Sequence, residues 1–171
     1  MWHSEFKFYL YPEKSQHKID NNSLEVFLKN LEFISNKLSA KRHATGDKFL
    51  SLLTFMGCSP NIELEPQDDK PYCYIEIESQ NEPLFISGKN TKYPPCPHCK
   101  SALKSLTCSS CKKKIDPQNL NWRKSAFIAS SWICIANIYE LEAIPNDQLL
   151  NALEAETGVK WKPAYIRQEQ I

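Results

Sequence analysis

At 171 residues, of which 42% are apolar and 11% aromatic, the chain is long enough to enclose a core and too apolar to stay disordered. A net charge of +1 argues against binding polyanions through overall charge, and no phosphate-cradling glycine loop, nucleophile elbow or His-Glu pair at helical spacing is present. Seven cysteines are too odd a number for full disulfide pairing, and Met1 to Glu5 offers neither the basic nor the apolar region of a secretion signal, so a cytoplasmic location is expected.

Glu5 to Tyr11 alternates, with Phe6, Phe8 and Leu10 on one side and Lys7 and Tyr9 on the other, until Pro12 stops it. This predicts an opening strand. Asn22 stands three residues before Glu25 as a capping pair, and Leu24, Phe27, Leu28, Leu31, Ile34 and Leu38 recur at helical spacing, predicting a helix from Ser23 to Ser39. Lys41, Arg42 and His43 then suit the carboxyl end of its dipole. Phe49 to Met56, between Gly46 and Gly57, reads as a buried strand, followed by a turn at Cys58, Ser59 and Pro60 in which Cys58 is a structural thiol.

Asn61 to Glu65 and Tyr72 to Glu78 alternate, turning Ile62, Leu64, Ile75 and Ile77 inward and Glu63, Glu65, Glu76 and Glu78 outward, with a turn at Gln67 to Pro71. Paired carboxylates can serve as general acid and base, but nothing apolar surrounds these to raise a pKa, so they read as a solvated sheet face. Leu84 to Ser87 is a further short strand, and Gly88 releases the chain toward a lysine-rich stretch.

That stretch carries the motif whose chemistry is clearest. Cys96 and Cys99 are separated by two residues, as are Cys108 and Cys111, with eight residues between the pairs. Two such turns facing each other supply four thiolates in the tetrahedron that zinc prefers; two disulfides or four separate thiols are the competing readings. His98 reads as a solvated residue, because four thiolates already fill the shell. Over residues 93–115 the pattern resembles the zinc ribbon, in which two cysteine knuckles end the arms of a small β-hairpin. Lys100 and Lys112 stand where that family often has glycine, and the spacer is shorter than usual. The resemblance implies one structural Zn²⁺ in a closed shell, with no open position for water or substrate. It also brings nucleic acid into view, because many zinc ribbons belong to transcription, translation or nucleic-acid-processing proteins.

Between Pro83 and Ile115 lie seven lysines and no acid, so a chain of net charge +1 carries −6 elsewhere. A zinc ion with four thiolates adds −2 and leaves the module at about +5. Beyond it, Asp116 and Pro117 resemble a helix start. Gln118 to Ala143 is apolar almost all round, through Trp122, Phe127, Trp132, Ile133, Ile135 and Ile138, predicting a long central helix that packs Cys134 in its core. Its charge-free part is too short to cross a bilayer. Pro145 breaks it, Asn146 or Asp147 caps a second helix bearing Leu149, Leu150 and Leu153, and Gly158 ends that one. Val159 to Arg167 reads as a closing edge strand because of Pro163.

These elements predict a single α+β domain over residues 1–171, with a mostly antiparallel sheet, helices on one face, and a zinc ribbon inserted at 93–115; a ferredoxin-like arrangement fits. The functional expectation is a non-enzymatic adaptor or accessory subunit whose ribbon is a knob for a protein partner. Leu103 and Leu106 would contact that partner inside a rim of Lys100, Lys104, Lys112, Lys113 and Lys114. The alternative is nucleic-acid binding through the same lysines. Against it stands the scarcity of stacking surface, since Tyr93 is the one ring from Asn90 to Asp116. The lysines pairing with the protein's own acidic sheet, or an enzyme using Cys58 or a carboxylate pair, are further readings; no small-molecule substrate is evident.

Overall fold

The computed structural model describes residues 6–56, 62–66, 71–138 and 142–168. Among these, eight strands and two helices run in the order β1 (Phe6–Pro12), α1 (Asn21–Asn30), β2 (Ile34–Lys37), β3 (Arg42–Thr45), β4 (Leu53–Phe55), β5 (Tyr74–Ile86), β6 (Phe127–Ala136), β7 (Ala143–Pro145), α2 (Asp147–Thr157) and β8 (Trp161–Arg167). Six strands form an antiparallel sheet in the order β2-β3-β5-β6-β1-β8, and β4 pairs with β7 apart from it. The class is therefore α+β. With the short elements set aside, the chain runs β1, α1, β5, β6, α2, β8, and those strands lie side by side as β8-β1-β6-β5.

Alternation along the strands separates two cores. Phe8, Leu10, Ile75, Ile77, Ile133 and Ile135 point to the face that both helices cover, where they meet Leu24 and Leu28 of α1 and Leu149 and Leu153 of α2. Tyr9, Trp132, Cys134, Ala164 and Ile166 point the other way and pack with Phe127 and Ala129. Phe127 brings its own strand over that second face, since its ring stacks on Tyr11 at 4.4 Å and lies 5.1 Å from Tyr9. A register shift between Ser79 and Leu84 accompanies this bend, and the extra residues at 80–82 are exposed.

The long helix expected from Gln118 to Ala143 is instead a loop, the central strand β6 and the short strand β7; Tyr139 to Leu141 lie outside the described residues. The physical reason is that β6 lies between β1 and β5 with both faces covered, so it has no solvated face to supply alternation. Ile-rich and Trp-bearing composition was the surviving strand signal. Asp116 caps no helix either: its Oδ1 accepts the Gln118 amide at 2.9 Å, closing a turn.

The first helix also ends sooner than its stripe. Asp20, not Asn22, is the cap, accepting the Ser23 amide at 2.9 Å, and Glu32 adopts φ 62 just beyond the end. Phe33 and Ile34 continue the buried pattern through a turn and into β2. Lys41, Arg42 and His43 consequently belong to a hairpin beside β5, with Arg42 4.2 Å over the Tyr74 ring and 3.4 Å from Glu76. Of Phe49 to Met56 only Leu53–Phe55 is strand, and residues 62–65 form none. Leu84 to Ser87 is largely the far part of β5. Gly57 to Asn61, with Cys58, and most of the turn at Gln67 to Pro71 lie outside the described residues.

The second helix and the last strand match expectation. Asn146 accepts the Leu149 amide at 3.0 Å, Gly158 takes the left-handed φ of 75 at the other end, and β8 is an edge that places Pro163 within it. Among the described residues no helix is long and apolar enough to cross a membrane.

Candidate metal centre

The connection from β5 to β6 carries the four cysteines. Two turns of the same form hold them. In the first, the Lys100 amide donates to the Cys96 carbonyl at 2.9 Å and the Cys96 amide to the Ser101 carbonyl at 2.9 Å. In the second, the Lys112 amide donates to the Cys108 carbonyl at 2.9 Å and the Cys108 amide to the Lys113 carbonyl at 3.0 Å. The residue after each second cysteine is left-handed, Lys100 at φ 64 and Lys112 at φ 63. Glycine would adopt that angle without strain, but lysine takes it here and the knuckle shape survives. A bridge between Thr107 and Lys114 and the Ile115 amide on the Leu106 carbonyl at 2.7 Å close the hairpin between the two turns.

The four Sγ atoms lie within 4.8 Å of one another, with Cys96 to Cys111 at 3.8 Å and Cys99 to Cys108 at 3.6 Å. A disulfide needs about 2.05 Å, so the sulfurs are not paired covalently. A tetrahedron with metal–sulfur bonds of about 2.3 Å sets its sulfurs about 3.8 Å apart. The cluster is thus within metal-binding distance and could hold an ion such as zinc.

Backbone amides converge on the sulfurs as well. The Ser101 hydroxyl and amide hold the Cys99 thiol down at about 6. Burial opposes ionisation of Cys96, but the amides of Cys99 and His98 outweigh it and its pKa falls. At Cys111 the Lys113 amide favours the thiolate, yet burial and hydrogen bonds from the neighbouring sulfurs push it up to about 11. Four thiols this close cannot all ionise without a compensating cation, and the amides that would stabilise metal-bound sulfur are already aimed at it.

Of the residues expected to face a partner, Lys100, Lys104, Lys112, Lys113 and Lys114 are exposed, and among the described residues none has an ion-pair partner. Among the described residues they make no ion pair with the acidic sheet face. Glu76 and Glu78 are paired instead with Arg42 and Lys41, at 3.4 and 3.3 Å. Leu103 corrects the expectation of an outward contact: it is buried with Cys96, Cys108 and Ile115 in the cysteine hairpin's own small core, and Leu106 is half-buried.

Sequence reasoning missed the socket that holds the cysteine hairpin. Trp122 stands between Tyr93, at 5.3 Å edge-on, and Phe85 of β5, at 5.0 Å, with its indole N–H donating to the Pro117 carbonyl at 2.9 Å. Thr91 donates to the Ser125 carbonyl and Ser125 accepts the Lys92 amide, at 2.9 and 2.7 Å, tying the two flanks together. Asn90 clamps the free edge of β8, donating to the Tyr165 carbonyl at 2.7 Å and accepting the Arg167 amide at 2.8 Å, while the Tyr165 amide donates to the Lys124 carbonyl at 2.8 Å. The turn-forming run Asp116-Pro117-Gln118-Asn119 was the available signal. No family model matches the chain, and no curated protein or solved structure matches it either.

Proposed function

We propose that this chain is a non-enzymatic zinc-binding protein: a single domain on a ferredoxin-like frame, with a structural zinc ribbon at 93–115 that presents a basic surface to nucleic acid. The observation that carries the reading is the convergence of Cys96, Cys99, Cys108 and Cys111 at separations matching a closed tetrahedron. The order β8-β1-β6-β5 over a β-α-β-β-α-β chain supports the frame. Buried, unpaired Cys73 and Cys134 are compatible with a reducing compartment such as the cytoplasm.

Two partner classes stood open, a protein and a nucleic acid. Protein docking sites draw most of their affinity from apolar and aromatic anchors at the centre of the contact. The ribbon offers none among its large exposed side chains, since Leu103 is inside it and the exposed apolar residues Val26, Leu38, Leu50, Met56 and Leu84 lie elsewhere. What remains outward is five lysines with no ion-pair partner among the described residues, which suits phosphates.

Elemental analysis of protein purified without added metal should find one zinc per chain. Titration of labelled oligonucleotides at about 50 and 200 mM salt should give affinity that falls with salt at roughly −0.7 to −0.9 in log units per phosphate contact, and K112Q/K113Q/K114Q should flatten that line. A metal-free ribbon with oxidised cysteines would sink the first part. Salt-independent or absent oligonucleotide binding would sink the second and return the ribbon to a protein partner.

A further inference from the structure

An open groove of about 1080 Å³ runs between the loop that leaves the ribbon and the ends of β1 and β8. Its walls carry Lys14, Arg123, Lys124 and Lys162 against one carboxylate, Glu13, which is engaged by Lys162 at 3.1 Å. Lys14, Arg123 and Lys124 are exposed, and among the described residues they have no ion-pair partner. The half-buried Tyr11 ring, stacked on Phe127, lies along the floor.

The loop is held in an unfavourable backbone form. Arg123 at φ 51 and Lys124 at φ 61 are consecutive left-handed residues, a backbone form that side chains with a Cβ disfavour. They are fixed by the Arg123 amide on Asn121 Oδ1 at 3.0 Å, by the Lys124 carbonyl accepting the Tyr165 amide, and by Trp122 in its socket. Two adjacent cations are thereby fixed at the groove instead of relaxing into a helix, the sort of conformation found where a binding geometry is imposed.

We propose that this groove is a binding site for the sugar-phosphate backbone of single-stranded nucleic acid, continuing the path that begins on the ribbon lysines; the proposal rests on the nucleic-acid reading of the ribbon. Drug-sized molecules occupy pockets of about 300–1,000 Å³, so the groove has room for a short stretch of strand and more than a lone anion requires. An extended single strand can follow such a trough with its phosphates against the cationic walls. Cations spaced along a trough, with side-chain amides such as Asn121 and a ring on the floor, are the arrangement with which sequence-tolerant single-strand binders work. Arg123 and Lys124 stand shortly before β6, on the same β5–β6 connection that carries the four cysteines.

Fluorescence anisotropy of the full chain with a labelled 12-nucleotide poly-dT or poly-U at about 50 mM salt tests this. R123Q/K124Q should weaken binding about tenfold or more and reduce the salt slope by about 1.4, two contacts at roughly 0.7 each. K14Q, on the opposite wall and away from the left-handed loop, should weaken it as well, so a folding defect in the first variant cannot imitate the result. Binding by R123Q/K124Q and K14Q within twofold of wild type, with K112Q/K113Q/K114Q impaired, overturns the groove and leaves the ribbon reading standing. No binding by wild type overturns both. Competition by dTMP or UMP as effective as by the oligonucleotide makes the ligand a nucleotide and overturns the strand.

Discussion

Trp132 sits on β6 facing away from both helices, and replacing it with alanine tests whether that second face is a true core. The side chain is 5% exposed and packs edge-on against Phe127 at 6.3 Å and 73°. A buried aromatic removes about 150–250 Å² from water, worth roughly 4–6 kcal/mol at about 25 cal/mol per Å². Alanine keeps a little of that, and real unfolded chains already bury some, so about 3–4 kcal/mol should be lost, within the range for such deletions. For a chain of this length that lowers the melting temperature by roughly 6–16 °C. Urea unfolding followed by tryptophan fluorescence and far-UV circular dichroism gives the number. Two double mutants sharpen the geometry. Trp132→Ala with Phe127→Ala should couple by about 0.5–1.5 kcal/mol, because the rings touch. Trp132→Ala with Ile133→Ala should be additive within about 0.5 kcal/mol, because the two side chains lie in different cores and share no packing partner. A loss below about 1 kcal/mol for Trp132→Ala, or strong coupling to Ile133, would refute the two-faced strand.

Cys108→Ser should abolish stoichiometric zinc and raise hydrogen exchange across 93–115 while leaving most sheet amides protected, read by exchange mass spectrometry. His43 is buried with both ring nitrogens lacking a hydrogen-bond partner, and burial lowers its pKa although Glu25, 3.7 Å away, pulls the other way and Lys29 and Lys37 assist the lowering. Its neutral form is the folded one, so its contribution is present above the ordinary histidine pKa of about 6.5 and lost as pH falls through the depressed folded value. His43→Leu should therefore reduce the loss of stability as pH falls below about 6.5 in denaturant titrations. A further acid-sensitive step belongs to Glu25, whose pKa is lowered because the Lys29 hydrogen bond and the Lys37 and Lys29 charges outweigh its desolvation; its contribution fades only below the usual carboxylate range. Gly158→Ala should cost about 1 kcal/mol through left-handed strain alone, since no atom lies within 4 Å of an added Cβ. Gly46→Ala should cost more, because its Cβ would fall 2.2 Å from the Glu32 carbonyl oxygen. Chemical denaturation of both variants checks the order.

What could be read from the chain alone follows local chemistry. The four cysteines were legible because metal ligation is written in spacing, and α2 because Asn146, its leucine stripe and Gly158 agree. The opening strand was legible from its alternation up to Pro12, and the closing strand from the Pro163 that confines it to an edge. The middle failed where tertiary structure overrides periodicity. In β6 the alternation is erased by cover on both sides, while the α1 stripe runs on into Phe33 and Ile34 because both sides of the turn at Glu32 face one core. The socket of Trp122, Asn90 and Ser125 was invisible for another reason. Its hydrogen bonds join residues far apart in sequence, Asn90 to Tyr165 among them, and no spacing rule reaches that distance.

Why the proposed zinc ribbon would need its metal follows from the size of its core. Inside it, Leu103 and Ile115 are the buried side chains besides Cys96 and Cys108, with Tyr93, Cys111 and Leu120 partly covered. So few apolar groups cannot offset the backbone entropy of ordering some twenty residues, at about 1–2 kcal/mol each. Two left-handed lysines and a run of like-charged exposed lysines add to the cost. Metal ligation, at roughly 10–16 kcal/mol for a structural zinc site, has the magnitude to close much of that gap, and the Trp122 socket and the Asn90 clamp supply part of the rest. The division of labour explains where the lysines are. A surface stapled from within by four sulfurs does not depend on exposed apolar side chains for its shape, so it can carry five outward cations that a packed hairpin of this size could not tolerate. Removing the metal should then remove the basic surface as a unit while the body, with its two cores, remains folded.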